Sequence, residues 1–540
     1  MNAASTWLPL QDAAGARASD ERAVAAGTTW PALMERAGGQ LARTVVAAAG
    51  RAYGLRVCVV VGRGNNGGDG WIAARRLAAL GAQVRVVAVD GVDAPTSDEA
   101  AEQRRRWLAS GARSGGPDVL ARDTEWCDVA VDCLLGTGAR GAPRGPVLDG
   151  VEALLRARDR GARIVACDLP TGVQGDDGAV PGAAVRADVT VTFGALKRGH
   201  LLHPGAVLAG EVVVADIGTD AATAAAVWRV LTAAGAALPV PAVDADKRGR
   251  GVVLVVAGSA GMAGAAILCA RGALAAGAGL VTVATPRSTQ QVVAGAVPGA
   301  LTLGLDEEDG AVAPGAAGAL DEAIDHADVV VAGPGLTPTK GTRAVVDQLR
   351  ASARRLVLDA DALNVFRGEG VALAEHAGEI VLTPHARELG RLVGADAQPG
   401  AAWRAEVAAE LAAATTSTVV AKGPGTVVTA ADGRVWVTPT GGAGLAVGGS
   451  GDVLAGAIAT ALAAGRDVAA TTAAVCWLHG LAGDLAGAST RGRSGSDDVV
   501  AAMGRALATA TTLADVAPTW PFDRPWSPGM LPPRAAQAAS

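Results

Sequence analysis

Apolar runs of strand length alternate with alanine-rich helical stretches along most of the chain. The first half contains the runs RVCVVVG, QVRVVAV, DVAVDCL, RIVACDLP, DVTVTF and EVVVADIG. Their nearly continuous, β-branched hydrophobicity is typical of parallel strands that helices cover on both faces. Helical stretches such as GWIAARRLAALG lie between them, and two helices interrupted by GTTWP precede them. The pattern predicts a doubly wound α/β sheet.

The alternation stops after Gly218 and begins again after residue 250. The residues between are rich in alanine and then punctuated by proline, which is typical of a connector. The second series of strands is VVLVVAGS, LVTVATP, ADVVVAGP, RLVLDAD, EIVLTP, TVVAKG and RVWVTP. The two halves share no order of motifs, so we predict two different domains. We place them at 1–222 and 251–512, with a linker at 223–250 and a Pro-rich tail at 513–540.

Composition and charge narrow the class of protein. Half of the 540 residues are apolar but only 3% are aromatic, so the core must consist of Ala, Val and Leu. The net charge of −6, without a long basic run, argues against a nucleic-acid partner. Six scattered cysteines without a CxxC pair indicate structural thiols in a reducing, cytoplasmic compartment.

No membrane span or signal peptide is expected. Residues 251–270 carry no charge and are long enough to cross a bilayer, which leaves a membrane span as the alternative. However, they divide into a β-branched run, a Gly/Ser loop and an alanine-rich stretch, which favours a buried strand, loop and helix. The N-terminus lacks a basic start followed by an apolar run.

The loop VVGRGNNGGDG follows the first strand and allows three interpretations. Its glycines Gly62, Gly64 and Gly67 have the G-x-G-x-x-G spacing of a dinucleotide-binding fingerprint. Asp69 inside that loop would repel a pyrophosphate. Together with Asn65 and Asn66 it offers oxygens that suit a cation or a hydroxylated ligand. A tight turn capped by Asn and Asp side chains is the structural alternative.

Further polar residues follow two later strands. Asp132 ends DVAVDCL and precedes the loop GTGARGA at 136–142, and Asp168 ends RIVACDLP, with Thr171 three residues on. An acid at one strand end is usually a helix cap. Because open α/β sheets bind ligands at the carboxyl ends of their strands, several acids beside Gly-rich loops indicate a site.

These motifs carry a resemblance to a known family. ALMERAG, VVGRGNNGGDG, VDCLLGTGARG, CDLPTGVQGD and TFGALKRGHLL, in this order, resemble the NAD(P)H-hydrate epimerases over roughly residues 8–220. The resemblance implies a Rossmann-like three-layer α/β/α domain. It also implies a potassium ion held by Asn66, Asp132 and Thr171. The residues implied to surround the hydrated nucleotide are Asn65, Asn66, Gly67, Gly68, Asp69, Gly136, Thr137, Gly138, Ala139, Arg140, Gly141, Ala142 and Asp168. We expect Asp168 to transfer the proton in epimerisation, with Asp69 as the second choice.

The second Gly-rich loop, GGSGDVLAG, resembles the anion hole of ribokinase-like kinases. The amides of Gly448 to Gly451 would stabilise a transferring phosphoryl group, and Asp452 would take a proton from the attacking hydroxyl. An Asp that favours the helix dipole is the structural alternative. The stretch AKGPGT is expected to receive a nucleotide phosphate. His385 and Glu388 form an i, i+3 pair, although a lone His at a strand end is more often structural.

In combination, AGSAGMAGAA, GPGL, LDADALN, LTPHARE, AKGPGT and GGSGDVLAG resemble the ADP-dependent NAD(P)H-hydrate dehydratases over about 250–512. This implies a ribokinase-like α/β domain with ADP as co-substrate and magnesium. The residues implied to contact the hydrate are Ala265, Gly335, His385 and Asp452. The residues implied to hold the nucleotide are Lys422, Gly423, Pro424, Gly425, Thr426 and Gly451.

Two segments depart from that family's usual pattern. Asp246-Lys247-Arg248-Gly249 stands in place of His-Lys-Gly, and the stretch Thr440 to Gly444 lacks the usual Asn and Pro because it carries Gly442 and Ala443. The second departure lies closer to the predicted anion hole, so it puts in question the rigidity of that loop and the rate of dehydration.

The leading hypothesis is a bifunctional repair enzyme for NADHX and NADPHX. The first domain would interconvert the R and S hydrates, and the second would dehydrate the S form with ADP, giving AMP and phosphate. The alternative is a ribokinase-like vitamin-precursor kinase fused to a regulatory nucleotide-binding module. Assembly as a homo-oligomer is expected from the resemblance alone.

Overall fold

The fold is taken from a computed structural model that describes residues 6–91, 93, 96–220, 226–398, 400–465 and 467–516. These residues form two compact units. One is Leu8–Ala226, and the other consists of residues 227–516 with residues 6 and 7. The domain boundaries given above stay predictions, and residues 517–540 of the predicted tail lie outside the described part.

The first unit is built on a seven-stranded parallel sheet. Its strands, in spatial order, are Ser114–Gly115, Gln83–Ala88, Arg56–Val61, Val129–Cys133, Arg163–Cys167, Val189–Phe193 and Glu211–Ala215. The six strands predicted from the sequence are confirmed. Alternate residues of Arg56–Val61 enter two different hydrophobic cores, so both faces of the sheet are covered. This explains why the strand is continuously apolar.

Helices cover this sheet. They are Ala13–Ala25, Trp30–Ala49, Asn65–Ala79, Asp98–Ala109, Leu120–Trp126 and Pro146–Asp159, with single 3-10 turns at Pro117–Val119, Arg198–His200 and Gly205–Val207. The break at GTTWP is a helix start, because Thr29 accepts the N–H of Ala32 and Pro31 occupies the first turn. A short strand, Trp7–Gln11, pairs through Leu10 and Gln11 with Leu196–Lys197.

The topology places a crevice at the end of Arg56–Val61. This strand lies between Gln83–Ala88 and Val129–Cys133. The chain therefore continues first on one side of it and later on the other side. Such a switch point opens a crevice at the carboxyl ends of the strands. The loop that follows Val61 and the helix Asn65–Ala79 therefore begin at the edge of that crevice.

The second unit has its own sheet. In spatial order its strands are Leu301–Leu305, Leu280–Pro286, Val252–Val256, Val329–Ala332, Arg355–Leu358, Glu379–Leu382, Thr418–Ala421, Val427–Thr429, Val435–Val437 and Trp228–Leu231. The strands pair in parallel, except that Val427–Thr429 is antiparallel to both of its neighbours. All seven strands predicted for this half are confirmed. Residues 223–250 contain Trp228–Leu231 and the helical turn Ala233–Ala236.

The helices of this unit pack through small residues. Its longer helices are Ala263–Ala275, Arg287–Ala296, Lys340–Ser352, Ala386–Val393, Ala401–Thr415, Ser450–Leu462, Val468–Thr490 and Ser496–Val516. Shorter elements are Asp321–His326, Asp361–Asn364, the 3-10 segments Pro314–Leu320, Gly370–Ala374 and Ala443–Leu445, and the hairpin of Glu307–Glu308 with Ala311–Val312. A Cβ at Gly456 would lie 2.0 Å from Cys269 O. The core thus relies on close backbone approach where aromatic side chains are scarce.

Residues 251–270 form the strand Val252–Val256, a loop and the start of Ala263–Ala275, as the sequence favoured. Among the described residues, no helix is long and apolar enough to cross a membrane. All six cysteines are buried and unpaired.

Candidate active sites

The NNGGD segment forms the first turn of the helix Asn65–Ala79. Two glycines are required there for steric reasons. A Cβ at Gly62 would lie 2.2 Å from Leu134 O, and a Cβ at Gly67 would lie 2.1 Å from Gly62 O. The spacing that suggested a dinucleotide fingerprint therefore serves the packing of this loop against the neighbouring strand end.

Asp168 lies directly after the strand Arg163–Cys167 in a left-handed conformation, with φ +66°. Its carboxylate accepts the N–H of Thr137 at 3.1 Å, the hydroxyl of the same residue, and the hydroxyl of Thr192 at 3.0 Å. Lys197 Nζ lies 2.9 Å from Oδ1. Burial alone would raise the pKa of Asp168, but Lys197 and Thr137 outweigh it and hold the pKa well below its usual range. Asp168 is therefore an ionised acceptor.

Lys197 pairs with the carboxylate of Asp168, and His200 bonds the backbone carbonyl of the same residue. The side chain of Lys197 is 3% exposed. His200 accepts the N–H of Lys197 at Nδ1, so its Nε2 donates to Asp168 O at 2.8 Å. Burial, and then Lys197, lower the pKa of His200 to about 4, so the ring is neutral. The sequence motif TFGALKRGHLL contained both residues, but its spacing did not indicate that they hold Asp168.

Asp69 has the opposite electrostatic environment. Cys167 Sγ lies 4.0 Å from its Oδ2. Burial raises the pKa of Asp69 well above its usual range, and the carboxylates of Asp168 and Asp20 raise it further. Asp20, on the helix Ala13–Ala25, also has a raised pKa, chiefly because of burial. The site therefore contains one ionised carboxylate and a carboxyl group that readily holds a proton.

Of the three residues implied to hold potassium, Asp132 and Thr171 are in contact, and Asn66 lies beside the loop that begins at Gly136. Asp132 is fully buried and accepts the N–H and the hydroxyl of Thr171 at 2.8 and 2.7 Å. A Cβ at Gly136 would lie 3.5 Å from Asn66 Cγ and 3.5 Å from Asp168 Oδ2, so Asn66 borders the same loop. Among the described residues, the buried Nδ2 of Asn66 has no hydrogen-bond partner. Carboxylate, hydroxyl and amide oxygens suit a hard cation.

The rest of the loop 136–142 extends towards solvent. Gly138, Arg140 and Gly141 are exposed, and Arg140 forms an ion pair with Asp176 at 2.5 Å. Only its first residues, Gly136 and Thr137, approach the buried carboxylates.

In the second unit, Asp452 lies in the first turn of Ser450–Leu462, directly after the glycine run. Gly449 has φ +88°, and a Cβ at Gly451 would lie 3.3 Å from Lys422 Nζ. A cation therefore lies at the predicted anion hole. Burial, and then the carboxylate of Asp359, raise the pKa of Asp452 to about 7, although Lys422 opposes them.

Lys422 is fixed by a buried acid. Its Nζ lies 2.5 Å from Oδ1 of Asp359, which is 1% exposed and also accepts the hydroxyl of Thr383. Burial alone would lower the pKa of Lys422, but Asp359 and Glu388 outweigh it and raise the pKa. The lysine is therefore charged and directed at the glycine loop.

His385 is a helix cap. Its Nδ1 accepts the N–H groups of Arg387 and Glu388 at 3.1 and 3.3 Å, and Glu388 Oε2 accepts the N–H of His385 at 2.8 Å. This reciprocal arrangement leaves Nε2 of the half-exposed ring as the donor. Burial, followed by Lys422, lowers its pKa. Nε2 lies 3.4 Å from Oε1 of Glu388, so the structural role of a lone His is present.

Ala265 and Gly335 lie side by side, because a Cβ at Gly335 would lie 3.0 Å from Ala265 Cβ. Gly335 has φ +64°, which favours glycine. Helix Ala263–Ala275 packs on Ser450–Leu462 through Gly272, whose Cβ would lie 2.4 Å from Val453 O. Both predicted hydrate contacts therefore belong to elements that adjoin the helix of Asp452.

The loop that lacks the usual Asn and Pro is held by residues that the sequence did not single out. Asp484, on the helix Val468–Thr490, accepts the N–H of Gly441 at 3.0 Å and that of Gly442 at 2.7 Å. Thr440 donates its hydroxyl to Trp477 O at 2.6 Å. Burial raises the pKa of Asp484 to about 6. The loop is anchored despite its departure from the family pattern.

Two family models match the chain. Residues 253–500 match the model described as NAD(P)H-hydrate dehydratase, and residues 31–199 match the model described as YjeF-related protein N-terminus. The two matches fall in the two units, one in each.

Curated relatives match over most of their length. The chain is 37% identical to a protein of Thermofilum pendens over 86% of this chain and 89% of the relative. It is 36% identical to a protein of Moorella thermoacetica over 84% of this chain and 88% of the relative. It is 33% identical to a protein of Escherichia coli over 81% of this chain and 82% of the relative. All three relatives are named bifunctional NAD(P)H-hydrate repair enzyme.

Solved structures similar to parts of the chain include an ADP/ATP-dependent NAD(P)H-hydrate dehydratase of Bacillus subtilis, co-crystallised with ATP and Mg²⁺. It is 28% identical with a TM-score of 0.43 and covers 51% of this chain and 96% of that one. A yeast protein is 25% identical with a TM-score of 0.35 and covers 38% of this chain and 88% of that one.

Proposed function

The chain belongs to the family of bifunctional NAD(P)H-hydrate repair enzymes, and from this premise we propose which residues perform its two reactions. The first unit interconverts the R and S hydrates of NADH and NADPH. The second unit dehydrates the S hydrate with ADP as phosphoryl donor. One protein then repairs both epimers, since the first reaction supplies the form that the second consumes.

In the epimerase, we propose that Asp69 protonates the ring hydroxyl as its C–O bond breaks, so that water leaves and the ring nitrogen supplies the electron pair. Asp69 then takes a proton from the water that adds to the opposite face of the ring. Inversion of the hydroxyl-bearing carbon needs a group whose protonated and ionised forms are both accessible near neutral pH. The raised pKa of Asp69 supports this role, while the depressed pKa of Asp168 argues against our first expectation for that residue.

Asp168 instead binds the substrate as a fixed carboxylate. It is ionised by Lys197 and lies at a strand end beside the loop that begins at Gly136. Such a carboxylate accepts hydrogen bonds from a sugar or ring hydroxyl without itself being protonated. The other residues of 65–69, with Gly136 and Thr137, are proposed to surround the ring, and residues 138–142, which extend towards solvent, to contact the rest of the nucleotide.

Asp132, Thr171 and Asn66 are proposed to hold a potassium ion. Their carboxylate, hydroxyl and amide oxygens form a hard donor set with a single carboxylate. Nδ2 of Asn66, which has no partner among the described residues, is an N–H donor, so it suits an acceptor such as a substrate hydroxyl and not the ion. When bound, the ion supplies positive charge that orients hydroxyl oxygens. The residues themselves fix the end of the strand Val129–Cys133 against the turn after Asp168.

In the dehydratase, the ring hydroxyl of the S hydrate attacks the terminal phosphorus of ADP. Asp452 takes the hydroxyl proton, the bond between this phosphorus and the bridging oxygen breaks, and AMP leaves. The new phosphate ester then loses inorganic phosphate and a proton, which restores the reduced nicotinamide ring. A pKa of about 7 suits Asp452 to act as the base at neutral pH.

Lys422 and the amides of the glycine run stabilise the charge on the transferring group. The position of Lys422 Nζ at Gly451 is the observation that carries this proposal. Residues 422–426 receive the nucleotide, and Ala265, Gly335 and His385 contact the hydrate. Magnesium is proposed to bind through the phosphates of ADP. When bound, magnesium neutralises phosphate charge.

Incubation of the protein with pure S hydrate and ADP tests the dehydratase assignment. We expect NADH, AMP and phosphate to appear in equal amounts. Formation of a stable phosphorylated product without NADH would instead indicate a kinase. No consumption of either substrate would contradict the assignment of this unit.

A further inference from the structure

Arg404 is a buried cation behind the predicted nucleotide loop. It lies on the helix Ala401–Thr415, is 4% exposed, and has no carboxylate within ion-pair distance in the described part of the chain. Burial lowers its pKa to about 10, so it stays charged at neutral pH. Burying an unpaired charge is costly, and a cation in the first turn of a helix also opposes the helix dipole. Its position therefore requires a compensating interaction.

The guanidinium makes its contacts with the loop backbone. Nη1 donates to Ala421 O at 3.1 Å, and Nη2 donates to Pro424 O at 2.5 Å. A Cβ at Gly423 would lie 2.3 Å from Nη1, so the guanidinium lies directly against this glycine. The loop 422–426 can take its path only because Gly423 has no side chain at this contact.

These contacts determine where one backbone donor points. In a trans peptide the C=O and the following N–H point in opposite directions. Because Pro424 O faces Arg404, the N–H of Gly425 points away from Arg404. Among the described residues no acceptor takes this N–H, and Gly425 has φ +61°. Arg404 thus orients the Gly425 N–H, which has no acceptor among the described residues, and places a positive charge close to it.

We propose that Arg404 is a positioning residue for nucleotide binding: it turns the Pro424–Gly425 peptide so that the Gly425 N–H donates to a phosphate of ADP, and its charge adds to that attraction. This inference rests on the proposed role of residues 422–426. Arg404 itself lies behind the loop and touches no substrate. The proposed role also explains why a buried arginine without a carboxylate partner is tolerated, because a phosphate of ADP supplies the missing negative charge when ADP binds.

The test is the affinity of the full-length protein for ADP, measured by calorimetry, with KM and kcat for ADP in S-hydrate dehydration. Arg404→Gln removes the charge and the two-carbonyl brace, and Arg404→Lys keeps the charge but not the planar fork. We expect Arg404→Gln to weaken ADP binding about tenfold to a hundredfold, Arg404→Lys to be intermediate, and the effect to fall on KM more than on kcat.

Arg350→Gln is the matched control. Arg350 is also buried and also donates to two backbone carbonyls, Ala372 O and Glu375 O, but it pairs with Asp347. This variant should lower the melting temperature and leave ADP affinity unchanged. Circular dichroism and the melting temperature of the full-length protein check that the second unit of each variant is folded.

Three outcomes decide the matter. If Arg404→Gln alone weakens ADP binding, the proposal holds. If Arg404→Gln and Arg350→Gln both lower the melting temperature and both bind ADP as the wild type does, Arg404 is only a structural brace and the proposal is overturned. If the wild type itself binds no ADP, the proposed function of this unit fails and the role of Arg404 fails with it.

Discussion

The ammonium group of Lys197 lies 2.9 Å from Oδ1 of Asp168 at the carboxyl end of the first unit's sheet. This buried cation keeps Asp168 ionised, and the resulting negative charge helps to raise the pKa of Asp69. Burial is the larger cause of the raised pKa of Asp69, and the charge of Asp168 adds to it, so burial and the ion pair together separate the protonation behaviour of the two carboxyl groups. We assign proton transfer to Asp69 and substrate binding to Asp168 for this reason.

Asp69→Asn should abolish most epimerisation with little effect on substrate binding. The amide cannot exchange a proton, so we expect kcat to fall about 10²- to 10⁴-fold while KM stays close to the wild-type value. The measurement is the rate at which pure R hydrate becomes a mixture of epimers. Dehydratase activity on S hydrate is the internal control. A kcat within twofold of wild type would remove Asp69 from the chemistry.

Asp168→Asn should act through binding and stability. It leaves Lys197 buried without its partner, which costs about 3–5 kcal/mol of the free energy of unfolding. We also expect the KM of the epimerase to rise. Because the folded pKa of Asp168 is depressed, the pair's stabilisation is present above pH ~4 and is lost as the pH falls through the folded pKa. Lys197→Met should abolish this acid-side change. The measurement is the free energy of unfolding of the wild type and of Lys197→Met between acid and neutral pH. The same pH dependence in both proteins would contradict the ion-pair account.

The rate of dehydration should depend on the ionisation of Asp452. Because its pKa is raised to about 7 and the ionised form is the base, kcat should fall as the pH decreases through about 7 and level off above it. Asp452→Asn should lower kcat about 10²- to 10⁴-fold. The measurement is kcat at saturating S hydrate and ADP across this pH range. An activity that rises on acidification would contradict the assignment.

Asp484 should determine the rigidity of the loop at Gly441 and Gly442. Asp484→Ala leaves two backbone N–H groups without an acceptor, so we expect dehydratase kcat to fall about tenfold to a hundredfold. Ser489→Ala is the control, since it removes a hydroxyl bonded to Ala486 O within the same helix. Equal kcat values for the two variants would show that Asp484 does not support this loop in catalysis.

Potassium should affect one activity only. Thr171→Val removes a hydroxyl that bonds Asp132 and is proposed to contact the ion. We expect epimerisation to need a higher potassium concentration in this variant than in the wild type, and dehydration to be unchanged. A wild-type epimerase rate that is the same with potassium and after its replacement by a large organic cation would contradict the proposed site.

The strands of both sheets could be predicted because their signal is local. Runs such as RVCVVVG are apolar on both faces. The roles of Gly62 and Gly67 were not predicted in this way, because their spacing suggested a dinucleotide fingerprint and the structure shows close backbone packing. The predicted family is confirmed, since its motifs are contiguous stretches whose residues remain adjacent in the fold.

The electrostatics of the sites could not be predicted in this way. Lys197 pairs with a residue 29 positions earlier because a later strand returns it to the sheet end, and no local pattern encodes that distance. Asp20 influences Asp69 from a helix at the start of the unit. The sequence therefore placed Asp168 first as the proton-transfer group, while burial and charge favour Asp69. Arg404 and Asp484 were missed because they lie in helices and act on backbone atoms of distant loops.

The formation of NADH from pure R hydrate and ADP tests the central claim that one chain carries two sequential activities. The wild type should convert the R hydrate to NADH, releasing one AMP and one phosphate for each NADH. Asp452→Asn should accumulate mixed epimers, with NADH formed about 10²- to 10⁴-fold more slowly, and NADH formation by Asp69→Asn should be limited by its residual rate of epimerisation. Absence of NADH with the wild type, or NADH formed without consumption of ADP, would contradict the account.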